Sequence, residues 1–99
     1  MHYVLAYDYD ADYLERRIPL RAEHLALTWR YPASGDLVLG GVLDDPIDGA
    51  LMLFQGPSPD VAHAFVAADP YVRNGLVKSR RVGPWHAVLG DAAPEPICV

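Results

Sequence analysis

The sequence predicts one α+β domain in which a four-stranded antiparallel sheet carries two helices on one face. Three observations lead there. Strand-like and helix-like stretches follow one another in the order β-α-β-β-α-β, which suits a ferredoxin-like sheet. Two neighbouring strand-like stretches, residues 37–43 and 50–55, are separated by a loop rich in Asp, Pro and Gly, the signature of a hairpin. The chain has 99 residues, enough for one hydrophobic core and too few for a second.

Each element has its own justification. Residues 2–8 alternate weakly and are rich in Tyr and Val, which predicts the first strand. From Ala11 to about Tyr31 the spacing becomes helical, with Pro19 as an interruption. A short turn over residues 12–17 is therefore expected, then a helix with Pro19 near its first turn. Asp12 followed by Glu15 has the form of a capping box for the first piece. The run from Pro32 through Gly35 to Asp36 should stop the helix. Residues 37–43 form a strand, 44–49 a hairpin loop and 50–55 its return. Ser58 is the expected N-cap of a helix over residues 60–68, with Pro59 at its first position. Residues 69–75 read as a turn with room for one helical turn, and residues 76–82 as the fourth strand. Gly83 and Pro84 should bend that strand, leaving residues 85–89 as its continuation or as a separate piece. The tail after Gly90, with Pro94 and Pro96, is expected to be loose.

The hairpin strands carry a further message. An antiparallel strand with one wet face should alternate apolar and polar residues. Residues 37–43 and 50–54 do not: they are apolar throughout, so both faces need cover. Two helices cover one face. The simplest cover for the other is a second copy of the chain, and a homodimer is expected.

Composition excludes several classes. Net charge is −5, and the nearest approach to a basic patch is Lys78, Arg80 and Arg81 with Arg73 upstream. That is too small a positive footprint for nucleic acid, and it reads better as a solvated strand edge. The sheet also lacks the aromatic and basic signature of an RNA-recognition module. No apolar run approaches the roughly 20 residues that span a bilayer. Residues 1–8 have no basic stretch leading into an apolar one, as a secretory signal would, and the single Cys98 can form no internal disulfide. A cytoplasmic protein is expected, without membrane or nucleic-acid partners.

Chemistry has few places to reside. Asp8-Tyr9-Asp10-Ala11-Asp12 imitates the start of a calcium loop, but Tyr13 stands where Gly is required and Pro19 where Glu is required. His2, His63 and His86 show no ligand spacing with His24 or Cys98, so no metal is expected. Phosphate-cradling and nucleophile-elbow motifs are missing. Gly40-Gly41 lies inside a strand, where it permits a bulge or a close backbone approach. One conjunction stands out. Leu20, His24, Leu27 and Tyr31 form one stripe on the first helix, and Val61, Phe65, Ala68 and Asp69 form the corresponding stripe on the second. An imidazole within one apolar face and a carboxylate at the end of the other lie on the same side of the sheet. A buried carboxylate needs a donor, and His24 is the most economical one. Plainer roles are open to each: Asp69 as the N-cap of the turn beginning at Pro70, His24 as a core histidine.

Taken together, Arg21-Ala22-Glu23-His24-Leu25, Gly40-Gly41, Asp69-Pro70-Tyr71 and Pro84-Trp85 resemble the YCII-related family over residues 1–88. That family belongs to the dimeric α+β barrel superfamily, with the muconolactone isomerases and small cofactor-free monooxygenases. The resemblance implies an active-site His–Asp pair at His24 and Asp69 and a barrel made by two sheets face to face. Where family members carry Gly-Pro after the second strand this chain has Gly41-Val42, so the contacts of that turn are not carried over.

The expected function is cofactor-free acid–base chemistry on a small molecule, of isomerase or lyase type. Asp69 would fix one ring nitrogen of His24, and the other would move a proton. Arg21, one turn from His24, is a candidate for holding a substrate carboxylate or phenolate. Tyr71 and Trp85 are candidates for lining an apolar pocket or for filling the dimer core. The rival is a non-catalytic dimeric domain that binds a small ligand or assists a partner. An open pocket at His24 distinguishes the two.

Overall fold

Alternation along the first strand sets the geometry of everything around it. In the computed structural model, which describes residues 1–90 and 93, β1 (His2–Tyr9) buries Tyr3, Leu5, Tyr7 and Tyr9 on one face. His2, Val4, Ala6 and Asp8 face the other way. β1 is central, paired antiparallel with β3 (Gly49–Gln55) and β4 (Val77–Trp85), while β2 (Leu37–Leu43) completes the sheet beside β3. The order β2-β3-β1-β4 is that of the expected α+β sheet. The helices are α1 (Tyr13–Arg16), α2 (Arg21–Ser34), α3 (Asp60–Ala68) and α4 (Pro70–Arg73). None is long and apolar enough to cross a membrane.

The core lies between the sheet and the helices. Leu5, Met52 and Phe54 from the strands meet Leu27 of α2 and Ala62, Phe65 and Val66 of α3. Burying one such Leu or Phe side chain stabilises the fold by roughly 1.5–3 kcal/mol. The α2 stripe of Leu20, His24, Leu27 and Tyr31 faces this core as its spacing requires. On α3 the stripe is shifted: Ala68 is exposed, and Ala62 and Val66 join Val61, Phe65 and Asp69. With Ala62, Phe65, Val66 and Asp69 as the buried positions, the 3.6-residue repeat puts Ala68 beyond the edge of the stripe, on the solvent side.

Several local expectations are corrected. α2 continues through Pro32 to Ser34. Proline removes one N–H from the ladder but does not stop the helix, which ends one turn later at Gly35. Gly35 has φ 85°, and the Asp36 N–H donates to the Tyr31 carbonyl at 2.9 Å, a Schellman closure. Pro19 lies just before the first turn of α2, close to where it was expected: the ladder starts with the His24 N–H donating to the Leu20 carbonyl. Asp12 makes no side-chain cap to α1; its carboxylate lies 3.6 Å from the Arg16 guanidinium. At α3 the cap position is Pro59, although the Ser58 hydroxyl accepts from the Asp60 N–H at 3.3 Å. β4 runs straight through Gly83 and Pro84, which an edge strand tolerates. The tail expected to be loose lies, apart from Ala93, outside the described residues.

Cover on the two faces is unequal. On the helix side, α2 lies over β2 at Leu37, but Gly40 and Val42 further along are exposed. On the opposite side, Leu39 is 72% exposed, and Leu43, Leu51 and Trp85 are about half exposed. This apolar side is bare in the single chain.

Candidate active site

Asp69 sits where two helices meet. Its extended backbone (φ −70°, ψ 118°) ends α3 and starts α4, and its side chain accepts from the Tyr71 N–H at 3.0 Å. Pro70 takes the first position of α4, where its missing N–H costs nothing. The N-cap role foreseen for Asp69 is therefore real, and it leaves the rest of the carboxylate free for other donors. Asp69 has no exposed surface.

His24 comes to it from α2. The imidazole Nδ1 lies 2.8 Å from Asp69 Oδ1, and the His24 side chain is 12% exposed. A third donor arrives from the sheet: the Tyr7 hydroxyl donates to Asp69 Oδ2 at 2.9 Å. A carboxylate surrounded by donors requires Nδ1 to carry a proton, which leaves the lone pair of the neutral ring on Nε2. Nε2 makes no hydrogen bond to protein among the described residues. The ring is held flat against Tyr71, with centroids 3.8 Å apart and planes 10° apart, and Phe65 meets it edge-on at 6.3 Å.

Tyrosines dominate the surroundings. Burial, and then the charge of Asp69, pushes the Tyr7 phenol far above its ordinary range. Burial and the neighbouring Tyr13 do the same to Tyr9, whose ring stacks on Tyr13 at 3.7 Å. The same two causes push Tyr71 up to about 12. All these phenols remain neutral donors across the physiological range.

Beside His24 a cleft of about 490 Å³ opens between α2 and β2. Its polar end is formed by Arg17, Arg21, His24, Tyr9, Tyr13 and Tyr71. Leu25, Trp29, Val38, Val42 and Met52 make the apolar remainder. Gly40 lines its floor; a Cβ there would lie 3.2 Å from Met52 Cγ, so glycine keeps the cleft open. Arg17 and Arg21 have no carboxylate partner within 4.0 Å among the described residues, whereas Arg16 and Arg73 do. The Arg17 guanidinium lies 5.3 Å from the Tyr13 ring centroid. Among the described residues no three His, Cys, Asp or Glu side chains converge on a point.

Of the residues singled out from sequence, His24, Asp69, Arg21 and Tyr71 come together here. Trp85 does not. It pairs with His2 at the end of β4, on the bare face, and the thickness of the sheet separates it from His24. Sequence reasoning missed Tyr7, Tyr9, Tyr13 and Arg17. A signal for Tyr7 existed: in the alternation of β1 it shares the buried phase with Leu5, and a buried phenol needs an acceptor.

Comparison with known proteins places these features among relatives. The profile of the YCII-related domain matches residues 1–86. Proteins named YciI from Escherichia coli and Shigella flexneri are each 31% identical over 98 residues, covering 90% of this chain and 100% of the relative. Among solved structures, the 5-chloro-2-hydroxyhydroquinone dehydrochlorinase TftG from Burkholderia phenoliruptrix, in complex with 2,5-dihydroxybenzoquinone, is similar with a TM-score of 0.72. It shares 26% identity, over 86% of this chain and 93% of that one. A NIPSNAP-family protein from Agrobacterium tumefaciens, 19% identical over 94% of this chain and 95% of that one with a TM-score of 0.50, shares the fold alone.

Proposed function

The chain belongs to the YCII-related domain family, and from that premise we propose that it is a small-molecule enzyme using His24 and Asp69 for proton transfer without a cofactor. One observation carries this reading: the 2.8 Å contact of His24 Nδ1 with a fully buried Asp69, beside an open cleft. Asp69 orients the ring and stabilises the imidazolium. Nε2 takes a proton from the substrate and returns it elsewhere, which gives isomerisation, or takes it as a neighbouring group departs, which gives elimination. Such general acid–base help contributes typically ~10²–10⁴-fold in rate. Among the described residues the cleft is lined by no Ser, Cys or Lys, and the Thr28 hydroxyl is bonded to the His24 carbonyl, which favours isomerisation or elimination over acyl transfer.

The substrate is a small, flat, oxygenated molecule that becomes anionic. Arg21 holds its carboxylate or phenolate oxygen, and Tyr71 forms a wall of the cleft. The structural neighbour's dehydrochlorination of a hydroxyhydroquinone is an elimination on such a ring. The protein works as a homodimer, the bare face of each sheet covering the other's. An exposed apolar surface built on Leu39, Leu43 and Leu51 is what supports that assembly.

A panel of hydroxylated aromatics and unsaturated acids, screened first for thermal stabilisation and then for spectral change, tests the reading. Turnover by the wild type and its loss in His24→Ala is the expected result. A ligand that binds wild type and His24→Ala equally, with no turnover, would replace it with a non-catalytic binding or accessory domain.

A further inference from the structure

The two oxygens of Asp69 are served unequally. Oδ1 accepts from two donors, His24 Nδ1 at 2.8 Å and the Tyr71 N–H at 3.0 Å. Oδ2 accepts from one, the Tyr7 hydroxyl at 2.9 Å, and has no other donor among the described residues. Because Asp69 is wholly buried, solvent has no open route by which to take the place of that hydroxyl.

We propose that Tyr7 is a positioning residue for the His24–Asp69 pair: by holding Oδ2 it fixes the carboxylate with Oδ1 on Nδ1, and so keeps the ring proton on Nδ1 and the lone pair on Nε2. The inference rests on the reading of His24 as the base, and it adds what keeps that base in one tautomer.

Packing alone does not account for a tyrosine at this place. Elsewhere in the same core Phe54 and Phe65, both without exposed surface, fill comparable space with no hydroxyl. A buried hydroxyl is costly unless bonded, and this one is spent on a carboxylate, where the bond is charge-assisted. Geometry makes Tyr7 a suitable anchor. It lies on the central strand, flanked by Ala50 of β3 and Arg80 of β4, whereas Asp69 sits at the junction of α3 with a helix of only four residues. The bond spans 62 positions of sequence and ties that junction to a strand paired on both sides. Two donors on Oδ1 alone would leave the carboxylate able to pivot about that oxygen; a third on Oδ2 removes the freedom. Burial and the Asp69 charge also keep the phenol from ionising, so the donor is present wherever the imidazole works.

The experiment needs no substrate. Tyr7→Phe removes one oxygen and keeps the ring. Nitrogen-15 NMR of the imidazoles, at a pH where they are neutral and with His24 assigned from the His24→Gln spectrum, reads the tautomer directly. In the wild type, Nδ1 should show the protonated type of resonance and Nε2 the unprotonated type. In Tyr7→Phe the two should move toward each other, as the tautomer ratio changes about fivefold on loss of one hydrogen bond. Fluorotyrosine at position 7 keeps shape and bond but strengthens the donor. It should shift the His24 Nδ1 proton upfield, and it decides the matter alone if Tyr7→Phe does not fold. Wild-type His24 resonances in both variants overturn the role of Tyr7 while leaving the dyad standing. A wild-type proton on Nε2 overturns the dyad itself, and Tyr7's role with it.

Discussion

The sheet has two faces of opposite character. Under the helices, an apolar core encloses a cluster of Asp69, His24 and Tyr7 in which every buried side-chain polar atom is bonded. On the other side Leu39, Leu43, Leu51 and Trp85 stand open, and polar contacts such as the 2.7 Å Ser79–Asp8 bond lie toward β4. The covered face spends its polarity where water is excluded and electrostatics is strong. The open face lacks that kind of organisation and is suited to non-directional burial. The proposed chemistry and the proposed assembly thus draw on different sides of one sheet, and substitutions on the two sides should have separable effects.

The largest effect is expected at the centre of the covered face. Asp69→Ala strips the acceptor from Tyr7, His24 and the Tyr71 N–H together. Breaking a buried pair of this kind costs about 3–5 kcal/mol, to be read from urea denaturation. A loss below 1 kcal/mol would mean that the cluster is not what holds the α3–α4 junction. On the open face, Leu51→Asp should leave the fold intact and weaken dimer association by at least ~100-fold, since a charge buried without a partner is strongly unfavourable. Sedimentation at a series of concentrations measures it; an unchanged dimer would place the interface elsewhere.

Alkaline titration probes the covered face without mutation. Tyr7 and Tyr71, both on the covered side, have their folded values raised above the 10.0 of an ordinary phenol, Tyr71 to about 12. Below pH 10 both folded and unfolded chains keep the proton, so the contribution to stability is fully present. As pH rises above that, the unfolded chain ionises first, and stability is lost progressively through the folded values. Tyrosinate absorbance from these residues should therefore rise together with loss of the fold, beginning above pH 10. The smallest structural effect is expected at the cleft rim: Arg21→Ala should change stability by less than about 0.5 kcal/mol. It should nevertheless raise the KM of an anionic substrate while sparing that of a neutral analogue.

Much of the site was legible because helices and strands report their faces through spacing. His24 stands four residues after Leu20 in a stripe continued by Leu27 and Tyr31, and Asp69 ends the α3 stripe just before a proline, so both could be assigned to the buried side. Tyr7 shares the buried phase of β1 in the same way, but nothing local says that its hydroxyl meets Asp69. Arg17 lies in the turn between α1 and α2, where no period constrains direction. For Trp85 the sequence left two places open, the pocket or the dimer core, because its face depends on whether β4 continues past Pro84; the strand does continue, and it puts Trp85 on the bare face.

What the sequence alone determined was thus a set of phases: the strands apolar on both sides, the alternation of β1, the stripe of α2, and the α3 bounds. These follow from repeats of two and 3.6 residues, which the chain carries locally. Tertiary structure decided the partners. It brought Tyr7 opposite Asp69, left α2 short of Gly40 and Val42 to open the cleft, and put Trp85 on the far side of the sheet. Period tells which way a side chain faces. What stands in front of it is settled by register and helix placement, when distant segments close on one another to share a core.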